Sequence, residues 1–268
     1  MIQDSPTHAR SADEFDVTVI VAVRNGVDTL EACLTSILNQ EDLRVAVIVV
    51  DGGSTDGTGT VIERYHSRLF LVLKDTGQGV YCAWNQALVD AHSPWIAFLG
   101  CDDSYADKRA LVKLVSAARH STQRPVFVYS KVSQRDANGR ELMVLGQPWD
   151  VARAQLPFRM SICHCGAIHA RELFDDGNFD TSFRIVGDYE FLYRHLKRLR
   201  AEFVNEALVI ARVGGLSTRP ELAIAQKLEL KRIYKMHKAS ILIRLRWYLS
   251  MSATLASLAM ARILRLNR

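Results

Sequence analysis

The chain has 268 residues, 49% of them hydrophobic and 24% charged, with a formal net charge of +5. This is globular composition, long enough for one large α/β domain or a domain with an appendage, and five cysteines (Cys33, Cys82, Cys101, Cys163, Cys165) without framework spacing argue against a disulfide scaffold. The charge is uneven: residues 219–268 hold 11 Lys and Arg against 2 Asp and Glu, a net +9, so the remainder carries −4. That excludes a basic nucleic-acid face spread over the whole protein and points to a basic segment seeking an anionic surface.

Residues 1–16 read as a polar lead-in without the apolar core of a secretory leader, so a cytoplasmic protein is expected. The β-branched run at residues 17–23 is a first strand, and Arg24-Asn25-Gly26 a turn. Residues 27–40 have helical spacing, with Leu30, Cys33, Leu34, Ile37 and Leu38 on one face. A second apolar strand at 45–50 stops at Asp51-Gly52-Gly53-Ser54-Thr55-Asp56, and a helix is expected over 59–65. A short strand at 69–73, a loop and a helix over 80–91 follow. The run Trp95-Ile96-Ala97-Phe98-Leu99 then ends in Asp102-Asp103, before a helix at 108–119. Strand and helix alternating at this spacing give βαβ units and a mainly parallel sheet.

Past Pro125, residues 126–132 and 141–145 flank Asp136-Ala137-Asn138-Gly139, a hairpin signal. Residues 149–160 are mixed in pattern. A strand is expected at 163–169, a short helix from 171, a helix from about 187 to 199, a strand at 203–211 and a flexible loop at 213–217. The tail is helical and basic over 228–246, and residues 247–261 carry no charge at all. Fifteen residues are too few to span a bilayer, so a basic, amphipathic interfacial helix is expected.

In an open α/β sheet, ligands bind beyond the carboxyl ends of the strands. Asp102 and Asp103 therefore stand at a ligand site, and paired hard oxygens there suit Mg²⁺ or Mn²⁺ holding a phosphate. A helix cap at Asp103 or Ser104 is the competing reading. The stretch from Asp51 to Asp56 is neither the dinucleotide fingerprint nor the lysine-bearing phosphate loop. An Asp at a strand end can still accept hydrogen bonds from a base or ribose. Cys163-His164-Cys165 has half the look of a zinc site, but no second cysteine pair accompanies it.

Residues 17–25, 47–58, 79–85 (GVYCAWN), 98–103 and 187–190, in this order and spacing, resemble family-two glycosyltransferases of the GT-A fold. The pattern is similar to the bacterial branch that builds surface polysaccharides, and it covers about 17–217. The resemblance implies a three-layer, Rossmann-like α/β domain over 17–218, with 219–268 as a helical extension. It implies a metal-dependent, inverting transfer of a sugar from a nucleotide-diphosphate donor to an acceptor hydroxyl. Ala22, Val23, Arg24, Asn25, Asp51, Gly53, Asp75, Gly79, Asn85 and Asp102 would bind the donor. Asp102 and Asp103 would hold Mn²⁺ or Mg²⁺, and Asp188 would be the base. His164, Trp149 and Glu190 are acceptor-side candidates, and Trp84, like Trp149, could stack on a sugar. The implied acceptor is a sugar or lipid-linked sugar at the inner face of the cytoplasmic membrane, in exopolysaccharide, capsule or O-antigen assembly.

Four positions depart from the family pattern. Gly100 stands where a carboxylate or amide is usual, Gly187 where an acidic residue is, and Cys82 and Gly77 where Asp is. They imply thinner metal coordination and leave a catalytically silent nucleotide-sugar-binding protein as the rival. A nucleotidyltransferase on the same fold would want a basic phosphate loop that Arg24-Asn25-Gly26 does not supply.

Overall fold

The structure, a computed structural model, describes residues 14–75, 77–215 and 219–266. Most of the polar lead-in, Thr76 and the end of the 213–217 loop therefore lie outside the described residues. The strands are β1 (Val17–Val23), β2 (Val45–Asp51), β3 (Leu71–Lys74), β4 (Trp95–Gly100), β5 (Ser104–Tyr105), β6 (Phe127–Arg135), β7 (Glu141–Leu145), β8 (Ala167–Ala170) and β9 (Ala201–Arg212). The helices are α1 (Leu30–Leu38), α2 (Thr58–Tyr65), α3 (Val80–Leu88), α4 (Ala110–His120), α5 (Trp149–Gln155), α6 (Gly187–His195), α7 (Ala223–Met236) and α8 (Ile241–Leu266).

The strands form one sheet in the order β3-β2-β1-β4-β8-β6-β9-β5, with β7 added beside β6. From β3 to β4 every pairing is parallel, as expected of βαβ units. Beyond β4 the sheet turns mixed: β8 runs antiparallel to both β4 and β6, while β9 is parallel to β6. The hairpin is present, its turn tied by the Asp136 carboxylate, which accepts from the N–H groups of Asn138 (2.9 Å) and Arg140 (3.0 Å).

Both faces of the parallel half are covered, which is why its strands are apolar without interruption. In β1, Val17, Val19, Val21 and Val23 face one core, shared with Leu34 and Ile37 of α1, Ile62 of α2 and Leu114 of α4. Ile20 faces the other, shared with Tyr81 of α3, Phe191 of α6 and Ile233 of α7. Burying one such side chain is worth about 1.5–3 kcal/mol. The single buried polar residue of β1, Thr18, finds the hydroxyl of Ser93 at 2.7 Å.

Two of the expected elements differ from the sequence reading. Within 163–169 only the last three residues lie in a strand, and residues 164–166 form one tight helical turn. The tail helix is broken, α7 stopping at Met236 and α8 starting at Ile241, with Lys238 at φ +49. Ile233 and Tyr234 of α7 and Trp247 of α8 are buried in the same core as α6. No helix among the described residues is long and apolar enough to cross a membrane.

Candidate active site

The register of the parallel strands places Val23, Asp51 and Gly100 along one edge of the sheet. The turns leaving β1 and β2 are laced together there. Asn25, at φ +55, donates its N–H to the Ser54 hydroxyl (2.9 Å) and accepts the Thr55 N–H at its own Oδ1 (2.9 Å). Asp51 Oδ1 receives the Ser54 hydroxyl at 2.6 Å and the Ser54 N–H at 3.1 Å. The Gly52 N–H donates to the Val23 carbonyl at 2.8 Å, and Ala22 lies one residue before Val23 in β1, opposite Val50 and Gly100. Gly53 (φ +76) and Gly79 (φ +115) adopt the left-handed backbone that only glycine takes without strain. The Asp75 N–H reaches the Asp51 carbonyl at 2.9 Å. The Arg24 guanidinium lies beside Gly77, 3.1 Å from where a β-carbon there would sit. A larger residue at 77 would crowd both Arg24 and the Gly52 carbonyl.

Next to these turns opens a cleft of about 660 Å³. Asp102 and Asp103 line it from the end of β4, Asp188 from the start of α6, and Tyr81 and Trp84 from α3, with His164 in its wall. Burial, and then the charge of Asp102, push the Asp103 carboxyl up to about 7. The Arg212 N–H at 3.1 Å and the Cys165 thiol partly offset this. Burial and the charges of Asp103 and Asp188 push the Cys163 thiol up to about 11.

Gly100 accounts for its own presence. A β-carbon at this position would lie 2.8 Å from Asp103 Oδ2 and 2.9 Å from Asp102 Oδ1. Both carboxylates fold back over the bare α-carbon. Gly187 does the same for another pair: its β-carbon would meet the Tyr81 ring at 2.7 Å. Without that β-carbon, the Tyr81 hydroxyl sits 3.1 Å from Asp188 Oδ1 and 3.0 Å from the Ile185 carbonyl.

Two facing carboxylates suit a hard divalent cation, which is held by one or two carboxylates and completes its shell with substrate phosphate and water. Among the described residues no group of three or more His, Cys, Asp and Glu side chains converges as a metal cage. The stretch 163–165 is cleft wall, with Cys165 bonded to Asp103 and His164 stacked on Trp84 (5.3 Å) and Phe98 (5.5 Å).

Of the acceptor-side candidates, His164 alone lines the cleft. Glu190 is buried and its Oε1 meets His237 Nε2 at 2.9 Å, under the α7–α8 corner. Trp149 opens α5 and packs against the core. Asn85 is occupied elsewhere: its amide donates to the Phe179 carbonyl (2.8 Å) and accepts the Phe179 N–H (3.1 Å). Sequence reasoning did not single out Tyr81, although it sits inside the GVYCAWN motif, nor Arg212 and Gln226.

The model of Glycosyl transferase family 2 matches residues 18–166. A PGL/p-HBAD biosynthesis glycosyltransferase of Mycobacterium tuberculosis is 33% identical over 196 residues, 72% of this chain and 71% of that one. The mannosyltransferase PcManGT of Pyrobaculum calidifontis, solved with GDP-Man and Mn²⁺, superposes with a TM-score of 0.67 at 21% identity. That match covers 93% of this chain and 76% of that one. TarS 1-349 of S. aureus, solved with UDP-GlcNAc, gives 0.63 at 20% identity, covering 81% of this chain and 66% of that one. The chain thus spans just under two thirds of the TarS structure. At these identities the two likenesses establish the fold, GT-A.

Proposed function

The chain belongs to glycosyl transferase family 2, and from that premise we propose that it moves a sugar from a nucleotide-diphosphate donor to an acceptor hydroxyl, inverting the anomeric centre. One observation carries the reading: Asp102, Asp103 and Asp188, brought from β4 and α6, line a single cleft. The laced turns at Asn25, Asp51 and Gly53, with Arg24 and the loop at Asp75 and Gly79, receive the nucleoside.

Asp102 and Asp103 are the residues to hold Mn²⁺ or Mg²⁺. The ion would neutralise the diphosphate and stabilise its departure. Asp188 takes the acceptor proton as the hydroxyl oxygen bonds to the anomeric carbon and the bond to the diphosphate breaks. Among the described residues both hydrogen bonds to Asp188, from Tyr81 and from the Tyr189 N–H (2.9 Å), go to Oδ1. Oδ2 is the oxygen left for the acceptor. A single displacement needs no enzyme nucleophile, and it inverts configuration.

Gly100 and Gly187 support catalysis over a silent binding protein, because Gly100 makes room for the two carboxylates and Gly187 for the Tyr81 ring that reaches Asp188. The acceptor is a sugar or lipid-linked sugar. The exposed apolar residues of α8, among them Ile241, Leu242, Leu245 and Leu249, lie beside Arg244 and Arg246 and suit an anionic bilayer surface. A panel of nucleotide sugars, assayed for Mn²⁺-dependent donor binding and transfer in the parent and Asp188→Asn, tests the reading. Donor binding kept with transfer lost supports it; parental turnover in Asp188→Asn overturns it.

A further inference from the structure

The helix that carries Asp188 starts without a cap of its own. Val186, just before α6, is non-helical and makes no capping hydrogen bond through its side chain. The start of a helix leaves N–H groups that need acceptors. Of these, the Val186 N–H is met from another element, together with two N–H groups of the loop before it. Glu229, in the middle of α7, accepts the Arg184 N–H at Oε1 (2.8 Å) and those of Ile185 (3.0 Å) and Val186 (3.1 Å) at Oε2. Hydrogen bonds to a carboxylate are among the stronger ones, and a negative charge at a helix start is favourable.

The segment so held is coupled to the chemistry at both ends. The Ile185 carbonyl is the second partner of the Tyr81 hydroxyl, whose first is Asp188. The Val186 carbonyl accepts the Glu190 N–H at 3.0 Å and so closes the first turn of α6 around Asp188. The grip comes from a fixed support. Ile233 and Tyr234 of α7 are buried, the Tyr234 hydroxyl lies 3.2 Å from that of Tyr189, and His237 bonds Glu190. One turn before Glu229, Gln226 reaches the cleft itself.

We propose that Glu229 is a positioning residue for sugar transfer: through three backbone N–H groups it fixes residues 184–186, and through them Asp188 and Tyr81. The inference rests on the role of Asp188 given above. It makes α7 part of the machinery, outside the span matched by the family model. A misplacement of about 1 Å in a reacting group can cost about a hundredfold in rate, and these bonds stand between the loop and such a shift.

The test uses the full chain. Glu229→Gln keeps the shape but turns an NH₂ toward N–H donors; Glu229→Ala removes all three bonds. Turnover should fall about tenfold in the first and about a hundredfold in the second, with donor KM and donor affinity unchanged, at a temperature where circular dichroism shows folded protein. A purely structural role would lower the melting temperature and leave the kcat of folded protein at the parental value, which overturns the proposal. If Glu229→Ala does not fold, Glu229→Gln decides alone. Added to Asp188→Asn, Glu229→Ala should cost little further turnover, because the effect runs through Asp188; a fully additive loss overturns it. Parental turnover in Asp188→Asn brings down the assignment of the base. Lost turnover there with parental kcat in both Glu229 variants brings down only the present inference.

Discussion

Tyr81 and Asp188 are 107 residues apart in the chain and meet at 3.1 Å in the wall of the cleft. The meeting needs three things at once: α3 to deliver the ring, α6 to start at the carboxylate, and a glycine between Val186 and Asp188. Burial and the neighbouring charge of Asp188 hold the Tyr81 phenol well above its ordinary pKa. It is therefore a proton donor at any working pH, with one proton to share between Asp188 and Ile185.

Tyr81→Phe removes that donor without opening a cavity. A loss of about 0.5–1.5 kcal/mol in stability is expected from one hydrogen bond. Donor affinity should hold, and turnover should fall about tenfold, the equivalent of about 1.4 kcal/mol in the barrier. Chemical denaturation, donor titration and initial rates check the three parts.

Gly187→Ala places a methyl group 2.7 Å from the Tyr81 ring, which must shift to admit it. Overpacking of this kind costs about 1–3 kcal/mol. Turnover should fall further than in Tyr81→Phe, since both the ring and the start of α6 must move. A crystal structure of the variant should show the Tyr81–Asp188 bond broken.

Asp103, pushed up to about 7, takes up a proton as pH falls through neutrality. A divalent cation competes with that proton. Mn²⁺ affinity should be flat above about pH 7 and weaken below it, by up to about tenfold per pH unit. Asp103→Asn should abolish Mn²⁺-dependent donor binding. It should also raise the melting temperature of the metal-free protein at pH 8, because a carboxylate whose folded pKa is raised costs stability above that pKa. Calorimetric titration at pH 6 and 8 and thermal scans check both.

His164, His169 and His195 are buried, and burial lowers the pKa of each. The unfolded chain takes up protons at these residues near pH 6.5 while the folded one resists. Stability is therefore full above about pH 6.5 and falls as pH drops below it. His169 is the extreme case, ringed by Phe98, Phe127, Phe174 and Phe191. His169→Phe should flatten the loss, read as the difference in urea midpoint between pH 7.5 and pH 5.

The exposed face of α8 should bring the protein to vesicles containing anionic lipid, each basic residue near the surface adding about 1 kcal/mol before screening. High salt should release it. Leu242→Ser with Leu249→Ser, both on exposed positions, should leave the fold intact and the protein in the supernatant. Equal sedimentation of parent and double variant would set aside the bilayer as partner of this face.

The parallel half was legible because its strands are apolar runs that stop at turn residues, and the acidic pair because such a run ends in two carboxylates. The two-residue strand β5 has no pattern to read; it exists because Ser104 and Tyr105 lie against Ile210 and Val209. The break between α7 and α8 is made by Lys238 in a left-handed conformation, with neither glycine nor proline to announce it. The amide of Asn85 and the carboxylate of Glu190 are fixed by partners 94 and 47 residues away, which no local spacing encodes. Glu229 was hidden for the same reason, 43 residues beyond the nearest loop residue it holds.

The pairing of β5 with β9 also sets an order of events during synthesis. The strands β1 to β4 can associate as soon as the first hundred residues have emerged, since all four lie within them. The turn that follows β4 cannot settle then. Asp103 waits for the N–H of Arg212, 109 residues downstream, and β5 waits for the same strand. Contacts so distant form late. A nascent chain released early would therefore possess the laced turns after β1 and β2 but an ungathered acidic pair, which settles only when β9 takes its place between β6 and the edge strand β5.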